Sequence, residues 1–176
     1  MTVKSAIQKR RAYRSLKKIL ITEEMKKSLA EAAQLAPSCF NKQPWRYVFV
    51  DDEEMLEKLH PVYSKGNEWV YDASMVIVVF SDKELDCIIK DRLYYAFDTG
   101  LATGQMILQA VELGLVAHPI AGFSPSKVKN ILNIPKEMEV ITLLIIGKYK
   151  ENVEEADRPA RKELNEIVSV NKLVGE

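Results

Sequence analysis

The sequence predicts a mixed fold, α+β or α/β, in which a sheet is flanked by helices. Three observations lead there. SMVIVVF (Ser74 to Phe80) and EVITLLIIGKYK (Glu139 to Lys150) are apolar, β-branched runs of strand length, as expected of strands covered on both faces. Around them lie stretches with apolar residues at helical spacing and with recognisable caps. Helical and strand-like segments mix along the chain with no repeat, low-complexity tract or long linker, so residues 1–176 are expected to form one domain.

Taken in order, Thr2 caps a short helix, and RRAYRSLKK follows as a basic connection. Thr22 offers a hydroxyl to the open amides of a second helix, with Glu23 and Glu24 at its positive end; Met25, Leu29, Ala32 and Ala33 repeat at helical spacing until Pro37. WRYVFV (Trp45 to Val50) alternates like a strand. Asp51 or Asp52 caps a further helix with Met55, Leu56 and Leu59 inward. After the Ser74–Phe80 strand, the longest helical candidate runs from about Asp91 to Leu113 and ends at Gly114. Gly100 and Gly104 lie one turn apart inside it, although each interior glycine costs about 1 kcal/mol relative to alanine, so a helix, a loop or a cofactor is expected close to that face. LVAHPI (Leu115 to Ile120) reads as a short strand, Ser124-Pro125 opens a helix, and Glu139–Lys150 is a central strand. The last stretch, 151–176, is charged and weakly patterned, with a helical turn expected near ARKELNEIV.

The 25 basic and 25 acidic residues cancel, which leaves no overall field for a nucleic-acid backbone or an acidic membrane. No apolar run approaches the roughly 20 residues of a membrane helix, and the charged N-terminus lacks the apolar core of an export signal. The two cysteines, Cys39 and Cys87, are far apart in sequence and fit a reducing cytoplasm better than a disulfide-stapled secreted fold. The expected compartment is the cytoplasm. His60 and His118 have no spaced thiolates or carboxylates that suggest a metal, and are expected to be structural or surface residues. There is no G-x-G-x-x-G after a strand and no G-x-S-x-G around Ser38, so neither a tightly held dinucleotide nor a hydrolase triad is indicated.

Two segments carry possible chemistry. Arg10, Arg11 and Arg14 are either a solvated charged face or a phosphate clamp, since guanidinium is permanently charged and presents a donor fork matched to phosphate oxygens. The loop Ala36-Pro37-Ser38-Cys39-Phe40-Asn41-Lys42-Gln43-Pro44-Trp45 encloses Ser38, Asn41 and Gln43 between two prolines. As structure alone it is a turn with Trp45 as its core anchor; its polar side chains could also bond the edge of a heteroaromatic ring. Cys39 reads as a small loop thiol, with a redox thiol as the other reading.

These two segments together resemble the nitroreductase family, whose members share an N-terminal R-R-x-x-R segment and an A-P-S-x-x-N-x-Q-P-W loop. The resemblance extends through AVELGLVAHPIAGF (Ala110 to Phe123) and covers nearly the whole chain. It implies an α+β fold with a mainly antiparallel central sheet flanked by helices, an intertwined homodimer, and residues 151–176 as an arm on the partner. It implies FMN as cofactor, held by Arg10, Arg11, Ala12, Arg14, Pro37, Ser38, Cys39, Asn41, Asn67, Ala121, Gly122 and Arg161, with Arg158 or Lys162 able to replace Arg161. Asn67 matches an asparagine at the flavin pyrimidine, and Ala121 and Gly122 match the turn near flavin N5. The implied activity is transfer of reducing equivalents from NAD(P)H through flavin N5 to a small organic acceptor such as a nitroaromatic or quinone, in a ping-pong sequence. No side chain is implied as a catalytic nucleophile. The resemblance leaves open a non-catalytic flavin-binding or redox-sensing dimer, or a specialised flavin enzyme such as a dehalogenase.

Two departures from the family pattern stand out. Ala12 replaces a serine common after the paired arginines, and only Asp82 to Arg92 fills a region that carries an added helical cover in longer members. The pocket is therefore expected to be more open, or to be lined by Tyr94 and Tyr95.

Overall fold

The computed structural model describes residues 1–152 and 157–173. Helix α1 (Val3–Lys9) starts at Thr2, whose hydroxyl accepts the Ser5 N–H while Ser5 returns a bond to the Thr2 backbone. The basic connection leads into a two-residue strand, β1 (Leu16–Lys17). Helix α2 (Glu23–Gln34) is capped by Thr22 as expected and stops before Pro37. Then follow β2 (Arg46–Val50), α3 (Glu53–Lys58) capped by Asp52, and β3 (Met75–Ser81), which is buried along its whole length.

Here the structure departs from the expected helix start. Residues 91–93 belong to a small hairpin, β4 (Ile88–Ile89) and β5 (Arg92–Leu93), whose turn holds Lys90 in the left-handed region (φ 60°). The long helix α4 begins only at Tyr95 and runs to Glu112. Hairpin pairing took the residues that one-dimensional periodicity had assigned to the helix. Next come β6 (Val116–Ile120), α5 (Pro125–Leu132), β7 (Glu139–Tyr149) and the short α6 (Leu164–Ile167). Proline opens α5 as expected, but the Ser124 hydroxyl meets Ser126 Oγ and makes no cap bond to the backbone.

The fold is α+β: every strand pairing among the described residues is antiparallel. Strand β7 is the axis of the sheet. One of its edges pairs with β3, which pairs in turn with β2, and the opposite edge pairs with β6; its C-terminal end, Lys148 and Tyr149, pairs with β1. Two-residue periodicity sends the side chains of β3 and β7 into two cores. Val76, Val78, Leu143 and Ile145 meet Leu59, Val62 and Val128 on one face, while Met75, Ile77, Leu144 and Ile146 meet Leu29, Ala33, Ala102 and Met106 on the other. Helices α2 and α4 therefore cover one face, and α5 with the 60s loop covers the other.

The outer side of α4 leaves Phe97 63% exposed, and nothing lies within 4 Å of where a Cβ would stand at Gly100 or Gly104. The element expected close to these glycines is thus not supplied by the described residues of the same chain. Residues 157–173 are exposed, Leu164, Val170 and Leu173 among them. Residues 153–156 and 174–176 of the expected arm lie outside the described residues. No helix among the described residues is long and apolar enough to cross a membrane.

Candidate active site

Pairing of β1 with the end of β7 lays the 10–15 segment against β6, where Lys150 N–H bonds the Ser15 carbonyl and His118 Nδ1 lies 3.0 Å from the Tyr13 carbonyl. This register opens a cavity of about 640 Å³. Arg10, Arg11, Ala12 and Arg14 line it from one side, His118 and Tyr149 from the sheet, and Asp157, Arg158 and Arg161 from the C-terminal segment. Both C-terminal arginines considered from sequence thus reach the cavity. Arg10, Arg14, Arg158 and Arg161 form no ion pair with any described carboxylate, Asp157 included. Cations gathered in one concavity in excess of its described acid, Asp157, form a site for a multiply charged anion.

The walls are aromatic. Tyr13 and Tyr149 lie 4.5 Å apart between ring centroids, with the Arg11 guanidinium over the Tyr13 ring. His118 stacks on Trp69 at 4.7 Å, and the Arg14 guanidinium lies 6.0 Å from the same indole. Burial, opposed in part by the Tyr13 carbonyl and reinforced by Arg14 and Arg10, lowers the His118 pKa below its ordinary 6.5. His118 is therefore a neutral wall of the cavity at pH 7. The sequence reading gave it no such role, and it did not identify Trp69 at all. A histidine in the middle of a predicted strand carries no signal of what will cross the sheet edge beside it.

Trp69 connects the cavity to the expected flavin-edge residues. Its Nε1 donates to Asn67 Oδ1 at 3.2 Å, and Asn67 Nδ2 donates to the Gly122 carbonyl at 2.9 Å. The Ser64 N–H donates to that same carbonyl. A Cβ on Gly122 would stand 2.5 Å from Asn67 Nδ2, so only glycine fits the turn as built. Asn67 and Gly122, two separate sequence candidates, thus form one braced unit, with Ala121 next in the chain and exposed.

The 36–45 loop lies elsewhere. Within one chain, Pro37, Ser38, Cys39 and Asn41 do not line the arginine cavity. Ser38 Oγ accepts the Gln43 N–H at 2.9 Å, and Gln43 Nε2 reaches Asn41 Oδ1 at 3.2 Å, so the polar groups hold the loop's own shape. Phe40, Asn41 and Gln43 all adopt positive φ, and Phe40 is 83% exposed. The Cys39 N–H donates to the buried Asp98 carboxylate at 2.6 Å.

The cysteine reading requires correction. Cys39 and Cys87 are joined as a disulfide, their Cα atoms 6.0 Å apart, so Cys39 is not a solitary loop thiol. The α4 start, where Asp98 bonds the loop, and the 82–94 segment converge there across 48 residues of sequence. Asp86 is buried beside the pair; one carboxylate oxygen accepts the Cys87 N–H at 2.7 Å, and the other has no hydrogen-bond partner. Burial, reinforced by the nearby Asp98, raises the Asp86 pKa. Tyr95, whose lining of the pocket with Tyr94 is the alternative to a more open pocket, donates its hydroxyl to Glu139 at 2.5 Å.

Comparison with known proteins matches the chain to one family. A model of the nitroreductase family matches residues 7–67 and 58–148. The Bacillus subtilis protein MhqN, named as a candidate NAD(P)H nitroreductase, is 31% identical over an alignment of 185 positions that covers 84% of this chain and 88% of its own. The FMN reductase [NAD(P)H] of the same organism is 27% identical over 86% of this chain and 65% of its own length. A crystal structure of a nitroreductase family protein from Clostridium difficile 630 superposes with a TM-score of 0.85 at 28% identity, covering 98% of this chain and all of that one. The chain belongs to the nitroreductase family.

Proposed function

We propose that the protein is an FMN-dependent oxidoreductase that takes reducing equivalents from NAD(P)H and passes them to a small organic acceptor. The observation that carries this reading is the arginine cavity, which is walled by aromatic rings and leads through Trp69 to the Asn67–Gly122 brace. The donor set suits a terminal phosphate: four guanidiniums with no ion pair among the described residues, in a space bounded by flat rings. Family membership and a relative named FMN reductase support the same cofactor.

FMN, when bound, supplies the two-electron chemistry that no side chain of the cavity offers. The chain's own residues bind and orient. Arg10, Arg14, Arg158 and Arg161 hold the phosphate by charge-assisted hydrogen bonds. His118, kept neutral, stacks on Trp69 and fixes that wall without adding a charge of its own. Asn67 spends one amide hydrogen on Gly122 and keeps a second for a ring edge.

The 38–43 loop completes the site from a second copy of the chain. Two features support this: the loop does not line the arginine cavity of its own chain, and the glycine-bearing face of α4 is open. In the homodimer that face meets its equivalent, and the 151–176 arm packs on the partner. The whole chain, 1–176, serves as one domain. Donor and acceptor use one open face in turn. Initial rates with NAD(P)H and a quinone or nitroaromatic should therefore give parallel double-reciprocal lines, and cofactor released by denaturation should chromatograph as FMN. Intersecting lines would overturn the shared face, and another released cofactor would overturn the assignment.

A further inference from the structure

We propose that Cys39 and Cys87 form a reversible dithiol–disulfide site, opened by low-molecular-weight thiols, whose state sets the order of the 38–43 loop. The consequence for flavin rests on the FMN reading above; the chemistry of the pair does not.

The bond joins two largely exposed segments that are otherwise held by hydrogen bonds more than by apolar burial. On one side Phe40, Asn41 and Gln43 occupy the left-handed region, which is uncommon for residues other than glycine and persists only where the surroundings impose it. Phe40 and Asn41 are exposed, so apolar burial does not impose it. The loop is held instead by hydrogen bonds, those within it and from Arg46 to the Gln43 carbonyl together with the bond of the Cys39 N–H to Asp98, and by the disulfide, its one covalent tie to the 82–94 segment. On the other side Cys87 leads into the β4–β5 hairpin, two residues per strand, with Ile88 and Leu93 about half exposed.

Asp86 provides a second, independent indication. It is 8% exposed, one of its oxygens has no hydrogen-bond partner, and its carboxylate lies with both sulfurs in a cluster whose ligand atoms are within 4.8 Å of one another. Buried acceptors are nearly always satisfied. A disulfide has no hydrogen to give this oxygen, whereas a dithiol has two S–H donors beside it. Opening the bond thus offers this oxygen S–H donors that the disulfide lacks, in addition to the Asp98 carboxyl group that faces it in the closed form.

The exchange balances without any further reactant. One thiolate R–S⁻ attacks a sulfur of the pair; the S–S bond breaks, and the departing cysteine leaves as thiolate and takes a proton. A second R–S⁻ displaces R–S–S–R from the mixed disulfide, and the remaining cysteine is protonated. In sum, Cys–S–S–Cys and two RSH give two Cys–SH and RSSR.

The test uses the full chain with whatever flavin it carries, equilibrated in buffers of graded reduced-to-oxidised glutathione ratio. Acid quenching, alkylation and mass spectrometry then count the thiols. The expected result is a reversible change of two thiols, mapped to Cys39 and Cys87, within the range of ratios. Hydrogen exchange of the 39–43 and 87–94 amides should become several-fold faster in the dithiol form, with β3 and β7 unchanged, and Cys87→Ser should exchange fast in both buffers. Three results would overturn the proposal: a pair fixed in one state at every ratio, equal loop exchange in both states, or a stoichiometric metal removed by chelator and holding both sulfurs as thiolates. Flavin content is measured separately. Protein that binds no FMN in either state defeats the cofactor reading, while the thiol count and exchange rates still decide this one.

Discussion

The Asn67 side-chain amide donates to the Gly122 carbonyl at 2.9 Å, and a methyl group added to Gly122 would come within 2.5 Å of that same nitrogen. One short contact therefore couples the residue at 122 to the position of the asparagine. Gly122→Ala must push Asn67 aside and break its bonds to Gly122 and Trp69. Overpacking of this kind costs about 1–3 kcal/mol, so thermal unfolding should move down by a corresponding amount and flavin affinity should fall with it. Differential scanning calorimetry and a flavin titration of the variant check both; an unchanged melting point would show that the brace yields freely.

Arg10 and Arg14 have no described carboxylate partner to strand when they are removed. Replacing both with alanine should leave the flavin-free melting temperature close to that of the parent. It should weaken FMN binding by several kcal/mol, since hydrogen bonds to charged groups contribute about 1.5–3 kcal/mol each. Full flavin occupancy after dialysis of the double variant would reduce the cluster to a charged surface.

Asp86 gives a pH test with a definite sign. Its folded-state pKa is raised above the ordinary 3.8, chiefly by burial. A carboxyl group shifted in that direction leaves stability intact below the unfolded value and withdraws it as pH rises through the folded value. Asp86→Asn keeps an oxygen for the Cys87 N–H and removes the buried charge. With the disulfide intact, the variant should melt higher than the parent at pH 7, and the gap should close as the pH approaches 4. A variant less stable than the parent at neutral pH would mean that the charged form is stabilised in place.

The strand core was readable from local pattern because β3 and the middle of β7 are covered on both faces and read as unbroken apolar runs. Thr2, Thr22 and Asp52 were equally readable, since a cap bonds within its own turn. Contacts between distant segments were not. Ile88 to Leu93 holds only two residues per strand, too few to set a period, and was partly absorbed into the helix that follows. The Cys39–Cys87 pair and the stacking of Trp69 on His118 join residues about fifty apart, and local periodicity does not encode such meetings. The arginine cluster stands out by its own chemistry, whereas Asn67 is a candidate only through the resemblance, which carries long-range information that local pattern lacks.

If the loop and the arginines act in trans, the site can be rebuilt from two damaged chains. Co-express a subunit carrying Arg10→Ala and Arg14→Ala with one carrying Ser38→Ala and Asn41→Ala, and isolate mixed dimers by two tags. A shared site collects all four lesions in one pocket and leaves the other intact, so the mixed dimer should bind one FMN although each homodimer binds poorly. Absence of recovery would mean that each pocket is built within a single chain.

The most direct measurement is the absorption spectrum of the purified full-length protein before and after anaerobic addition of NAD(P)H. The account predicts the visible bands of non-covalent FMN, bleached on addition of the nicotinamide and restored by a quinone or nitroaromatic. Protein that stays colourless in the presence of added FMN would contradict the cofactor assignment, and flavin that NAD(P)H does not bleach would contradict the oxidoreductase.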